Sequence, residues 1–404
     1  MRISTNTIFE MGSSKIGDMT LAMYKTQQQI ASGMRILSPA DDPVAAAAAL
    51  GVSQAISINN QFATNRANAK SALSEEESVL QSVTTMLQSM KGAIVGAGNG
   101  SLDDSQRQAF VTQLRNNFEE LLGLANTRGA NGDYLFGGYQ VSSKPFTESA
   151  TGAVYNGDQG QRMLQVGAAR QLSSTDSGSS IFEGGMTGNG RFETSAANTN
   201  TGSGIISTGS VTDLSLLTGA KYDITFSIDA AGATTYLVTQ TPPPAIPATP
   251  QPYVSGQAIT FDGMTFDVKG VPANGDTFSV EPSQTQSIFT TITDLLNVLS
   301  ASTSGDGGKT RLMNGLNTAN TNLDNALNNI SKIRTTVGTR LQEIDNLDSV
   351  GSSLTLQYTD TLKQLQEIDP VEAYSRFTQQ QFALDAAQKT FIKIAGLSLF
   401  NMLS

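Results

Sequence analysis

The chain has 404 residues, 38% of them hydrophobic and 15% charged, with a formal net charge of −10, a length that suggests two or three domains rather than one core. It contains no Cys, His or Trp, which excludes Cys and Ser–His nucleophiles, Cys/His zinc sites and disulfides. The acidic balance with no basic stripe argues against nucleic-acid binding, no segment is apolar for the roughly 20 residues of a membrane span, and "MRISTNTIFEMGSSKIG" lacks the apolar core of a secretory signal peptide.

Residues 1–37 read as one helix after a short lead. Ile16, Met23, Ile30 and Leu37 recur every seven residues, with Met19 between them, a heptad seam weakened by Thr26 and Gly33. Pro39 disfavours helix at Ser38 and is expected to end it there. In "SPADDPVAAAAAL" (38–50), Asp42 is placed as an N-cap and Pro43 fits the first helical position, where no N–H is needed. Asp41 and Asp42 favour the positive end of the new helix dipole, so capping accounts for both and no acid–base pair is required. The alanines after them have high helix propensity and little bulk, which allows close approach to a neighbour.

The second helix is expected to run to about residue 95, with Leu73, Leu80, Leu87 and Ile94 seven apart and Val83 and Met90 between. "GAGNGS" ends it, and a third helix spans about 103–126. "NTRGANGDYLFGGY" then changes to turn and strand chemistry, with a hairpin expected where "AVYNG" and "RMLQV" flank "DQG". Residues 171–284 carry Gly/Ser/Thr/Asn tracts and period-two runs such as "YDITFSID", the pattern of half-buried strands. "TPPPAIPATPQP" holds six of the twelve prolines and reads as an extended loop. This region has 3 basic and 10 acidic residues, so −7 of the −10 lies in it.

Helix returns at "IFTTITDLLNVL", followed by a very long one from about 309 to 367 in which Leu312, Leu316, Ala319, Leu323, Ala326 and Ile330 step by four and three. Its length is on the order of 85 Å at ~1.5 Å per residue. "EIDPVEAYSRF" repeats the earlier device, with Asp369 as cap and Pro370 at the first position. The last helix, 370–403, places Tyr374, Phe377, Leu384, Phe391 and Ile394 on one seam and ends in "GLSLFNML", with Leu397 and Leu399. Two apparent sites are not sites. "SGDGGKT" has Thr303 where a phosphate loop needs Gly and follows a helix rather than a strand. Asp262 and Asp267 lack calcium-loop spacing. No catalytic residue, cofactor or metal is expected.

The expected architecture is mainly α with an inserted β domain. The terminal helices (1–42 with 368–404) pair as a coiled coil. Residues 43–170 with 285–367 form a long-helix bundle with a hairpin, and 171–284 form a β-rich, surface-exposed insert. Each terminal helix is weak alone, so the two are expected to pair and then pack against those of neighbouring copies. The candidate assembly residues are Ile16, Met23, Ile30 and Leu37 on the first helix. On the last they are Tyr374, Phe377, Leu384, Phe391, Ile394, Leu397 and Leu399. Pro39, Asp42, Pro43, Asp369 and Pro370 are the candidate helix-break residues.

"QQQIASGMRILSPADDPVAAAAAL" (27–50) resembles the N-terminal signature of the bacterial flagellin superfamily, and "QQQFALDAAQKTFIKIAGLSLFNML" (379–403) is similar to its C-terminal end. The resemblance covers about the first 165 and last 115 residues and is absent across 171–284. "GDYLFGGYQVSSKPF" (132–146) and "YNGDQGQR" (155–162) look like the filament-side hook–filament junction members of that superfamily. The resemblance implies an extracellular structural subunit of the flagellum, with the terminal helices as a coiled-coil inner domain lining a central channel, the β domain facing out, and the breaks at 41–43 and 369–370 forming one helix-break joint with Pro43 and Pro370 at one height along the molecule. It implies a ring between the hook-side junction protein and flagellin, export through the flagellar type III apparatus without a cleaved signal peptide, and a chaperone on the C-terminal helix. The alternatives are flagellin itself and a surface filament protein with an adhesive or enzymatic insert. A His-dependent metalloprotease insert is excluded, since the chain has no His.

Overall fold

The computed structural model describes residues 5–241 and 249–403, and side chains over the same residues except 5, 6, 8 and 395–403. The side chains of Leu397 and Leu399 and most of the proline-rich segment therefore lie outside what is described. Seven α-helices are present among them: α1 Thr5–Ser32, α2 Pro43–Ala97, α3 Asp104–Ala125, α4 Gly178–Phe182, α5 Ile288–Ser300, α6 Gly305–Gln366 and α7 Pro370–Leu403. The chain forms two compact units, Met1–Thr64 with Asn346–Ser404, and Asn65–Asp345. No described helix is long and apolar enough to cross a membrane.

The first unit is helical. α1 ends at Ser32, five residues before the expected stop, because Gly33 adopts a φ of +70°. This left-handed conformation ends a helix as a glycine cap does. Here α2 and α6 run side by side: Asn59, buried, donates from Nδ2 to the Gly351 carbonyl and to Thr355 Oγ1, both at 2.7 Å.

In the second unit the two long helices share a seam stepping by four and three. Leu73, Leu80, Val83, Leu87, Met90 and Ile94 are buried on α2, and Leu316, Leu323, Ile330, Val337 and Ile344 on α6. Such a repeat keeps one stripe facing the partner helix over many turns. Ion pairs Lys70–Asp345, Glu77–Arg334 and Lys91–Asp324 flank it. α3 opens on a capping box between Asp103 and Gln106.

Two small antiparallel ribbons follow, β1 Phe146–Ser149 with β2 Gly152–Tyr155, and β3 Met163–Gly167 with β4 Arg170–Ser173. The expected pairing of "AVYNG" with "RMLQV" is thus corrected: each runs beside a different neighbour. The intervening Asn156–Gly160 stretch folds back on the Gly-Gly turn instead. Asp158 accepts from Tyr139 N (3.0 Å) and Gly160 N (2.7 Å), and the Tyr155 hydroxyl meets the Phe136 and Asp158 carbonyls at 2.9 and 2.7 Å. Burial pushes that phenol up to about 12. Phe118, Phe136, Phe146, Phe182 and Phe289 cluster beneath, several in edge-to-face contact.

Apart from α4 and a 3-10 turn at Leu214–Leu216, the regular structure of the insert is β. A five-stranded antiparallel sheet runs in the order Gln251–Pro252, Thr234–Thr241, Lys221–Ile228, Thr277–Pro282, Phe192–Ala196. A second sheet holds Ala258–Phe261, Met264–Lys269 and Ile205–Ile206. "YDITFSID" puts Tyr222, Ile224 and Phe226 inward, where they join Ile259, Phe266 and Val268 of the other sheet in one core.

Candidate assembly surface

α1 and α7 pair antiparallel in the first unit. At one end Gly33 O accepts from Ile368 N (3.1 Å), and at the other Phe9 and Phe391 rings meet with centroids 5.0 Å apart. The half-buried or buried positions step by four and three on both helices: Gly12, Ile16, Met19, Met23, Thr26 and Ile30 on α1; Ala373, Phe377, Gln380, Leu384, Ala387 and Phe391 on α7. Gly12 is needed there, since a Cβ would come within 2.7 Å of the Phe391 ring. Ile16, Met23, Ile30, Phe377, Leu384 and Phe391 therefore share this seam. Leu37 (38% exposed), Tyr374 (59%) and Ile394 (48%) do not. The seam on α7 begins at Ala373, one residue before Tyr374, and this offset turns Tyr374 away from α1, whereas Ile394 continues the three-and-four step past Phe391 and is exposed there.

The two helix breaks meet. Residues 33–35 run antiparallel to 366–368: Arg35 N donates to Gln366 O (2.7 Å), Met34 bridges Glu367, and Arg35 Nη2 reaches Leu365 O (3.0 Å). Asp42 accepts from Ala45 N (3.0 Å) as the cap of α2 and pairs with Arg35 (3.1 Å). Asp369 accepts from Val371 and Glu372 N (2.8 and 3.2 Å) as the cap of α7. Asp41 takes a different part: it accepts from Leu37 and Ser38 N, both at 2.9 Å, and from Lys25 of α1 at 2.6 Å. The Lys25 ammonium and the Ser38 N–H hold its carboxyl down at about 2. The Ala45 N–H and Arg35 lower that of Asp42. Pro39 lies exposed in the turn, with Pro43 and Pro370 at the first position of α2 and α7. Arg35 and Lys25 were missed by sequence reasoning, which followed apolar periodicity and proline; a basic residue seven before Asp42 carries no local signal for a bond across the joint.

A groove of about 600 Å³ opens beside this crossing, lined by Ile30, Met34, Leu362, Ile368, Pro370 and Tyr374 among others. Large apolar side chains also stand free elsewhere in the first unit. Leu21, Tyr24, Leu50, Leu356, Phe382 and Ile392 are all more than half exposed. Among the described residues, sixteen of the twenty-six exposed large hydrophobics fall in the first unit, which holds under a third of the chain. Patches of that density mark interaction surfaces. Among the described residues there is no group of three or more acidic side chains arranged to hold a metal.

The chain matches the bacterial flagellin N-terminal helical region over residues 3–141 and the flagellar hook-associated protein 1 D2-like domain over residues 195–282. The second match corrects the expectation that 171–284 resembles nothing in the superfamily. Hook-associated protein 3 of Salmonella typhimurium is 28% identical over 403 residues, 100% of this chain and 99% of that one. The crystal structure of the flagellar junction protein from Legionella pneumophila is 30% identical, with a TM-score of 0.72, and the match covers 79% of this chain and 100% of that one. Flagellin of Listeria monocytogenes is 26% identical over 131 residues, only 32% of this chain. Full-length likeness to the junction proteins, against a flagellin likeness confined to a third of the chain, decides between the two: the chain belongs to the bacterial flagellin superfamily, in its hook-associated protein 3 family.

Proposed function

We propose that the chain polymerises as a ring at the hook–filament junction, with the hook-side junction protein on one side and flagellin on the other. The observation that carries this is the density of exposed apolar side chains on the α1–α7 unit. Burying a large apolar side chain gives roughly 1.5–3 kcal/mol, so such a surface is stable in water only when copies cover it. Leu37, Tyr374 and Ile394, left exposed in the first unit, belong to the surface between copies in this reading. The domain division follows: 1–42 with 368–404 as inner coiled coil, 43–170 with 285–367 as bundle, and 171–284 as the acidic outward insert. The subunit acts by contact and carries out no reaction. It leaves the cell through the flagellar export apparatus with no cleaved signal, and a chaperone covers the apolar C-terminal helix beforehand.

Isolated flagella labelled with an antibody to residues 171–284 and viewed by electron microscopy test this. A single short band where hook meets filament is expected. Label along the whole filament would make the chain a flagellin, and bare flagella would remove it from the organelle.

A further inference from the structure

The α2 seam has one charged residue in the middle of its apolar run. Glu76 lies between Leu73 and Leu80 at the same three-and-four spacing and is 0% exposed. Its Oε2 accepts from Asp176 N at 3.3 Å, while Oε1 is equally buried and has no hydrogen-bond partner. The charged groups facing it are Glu77 on its own helix, Asp176 in the stretch after β4, and Arg340 from α6. Arg340 is already taken: it grips both oxygens of Asp176 (2.8 and 3.1 Å), which also accepts from Gln161 Nε2 (2.9 Å). The next guanidinium, Arg334, grips Glu77 (2.6 and 2.9 Å). Three carboxyls thus share two guanidiniums, and Glu76 is the one without a cation.

We propose that Glu76 is carried in the folded subunit as a neutral carboxylic acid, and that its proton is a pH-sensitive lock holding residues 173–177 between α2 and α6. An uncharged oxygen without a partner costs far less than an uncompensated buried charge. Neutral Glu76 leaves two balanced pairs, Asp176–Arg340 and Glu77–Arg334. Ionised Glu76 adds a third negative charge that competes with Asp176 for Arg340 and repels it. Loss of the proton therefore loosens the segment that joins β4 to α4 and carries Asp176.

Burial first, and the Asp176 charge second, push the Glu76 carboxyl up to about 8 from the ordinary 4.5. Between those values folding takes up a proton that the unfolded chain does not hold. The contribution of Glu76 to stability is then greatest below about 4.5, falls as pH rises towards 8, and levels off above it.

The test is denaturant unfolding of the full chain, wild type against Glu76→Gln, at several pH values from 5.5 to 7.5. The ratio of the wild-type unfolding constant to that of the variant is expected to rise about tenfold per pH unit. A ratio that does not change with pH overturns the proposal, and a merely structural role for Glu76 predicts that flat ratio. Should the variant fail to fold, carboxyl-13C glutamate spectra of the wild type decide the matter. One glutamate titrating above pH 7 is expected, and none above pH 7 overturns the lock.

Discussion

At the scale of single residues, the joint between the two unit-1 breaks rests on Asp41 and Asp42 in separate parts. Asp42 and Asp369 cap the helices that follow them, as their position before Pro43 and Pro370 implies. Asp41 instead ties the turn back to α1 through Lys25 and two turn N–H groups. Since these partners hold its carboxyl at about 2, its contribution is present above the ordinary carboxylate range and is lost as pH falls from about 4 to 2. The expected outcome is that Asp41→Asn flattens the acid limb of helix loss over that window, read by far-UV circular dichroism. A variant with the same acid limb as the wild type would assign that limb elsewhere. Asp369→Ala should cost about 1 kcal/mol in denaturant unfolding, the usual worth of an N-cap.

At the scale of elements, the faces of α7 separate what the chain keeps for itself from what it offers. Leu384 is 8% exposed on the seam with α1, while Phe382, two residues earlier, is 77% exposed. Leu384→Ala is expected to destabilise the isolated subunit by about 2–5 kcal/mol. Phe382→Ala should leave that stability within about 0.5 kcal/mol while reducing self-association and incorporation into flagella, measured by sedimentation and by immunolabelling. The converse pattern would mean that α7 docks on α1 by its other face. The helices were legible in the sequence because heptad spacing and Asp-Pro caps are local signals. The register of the α7 seam was not: Ala373 and Gln380 give it no apolar emphasis, and Tyr374 gives a false one. The ribbons were misread for a related reason, since strand partners are chosen by tertiary contacts such as the Asn126 side chain, which brackets Phe146 N and O at 2.9 and 3.0 Å. Glu76 could have been found by asking which position the Leu73–Leu80 step fills between them.

At the scale of the whole molecule, the two units solve the burial problem differently. Residues 65–345 contain the fused sheet core around Tyr222, Phe226 and Phe278, the phenylalanine cluster around Phe182, and the α2–α6 seam, all closed within the unit. The first unit has one two-helix seam, a strip of α2–α6 contact and most of the exposed apolar side chains. A helix pair of that kind has little stability of its own in water. A fragment of residues 65–345 is therefore expected to fold with a cooperative thermal transition and to stay monomeric at all concentrations. The full chain should show the same transition plus a second loss of helix whose midpoint rises with concentration, because association stabilises only the folded termini. Circular dichroism melts of both over a hundredfold range of concentration measure this. A second transition independent of concentration would mean that the terminal unit stands on its internal contacts and that its exposed face is not what holds copies together.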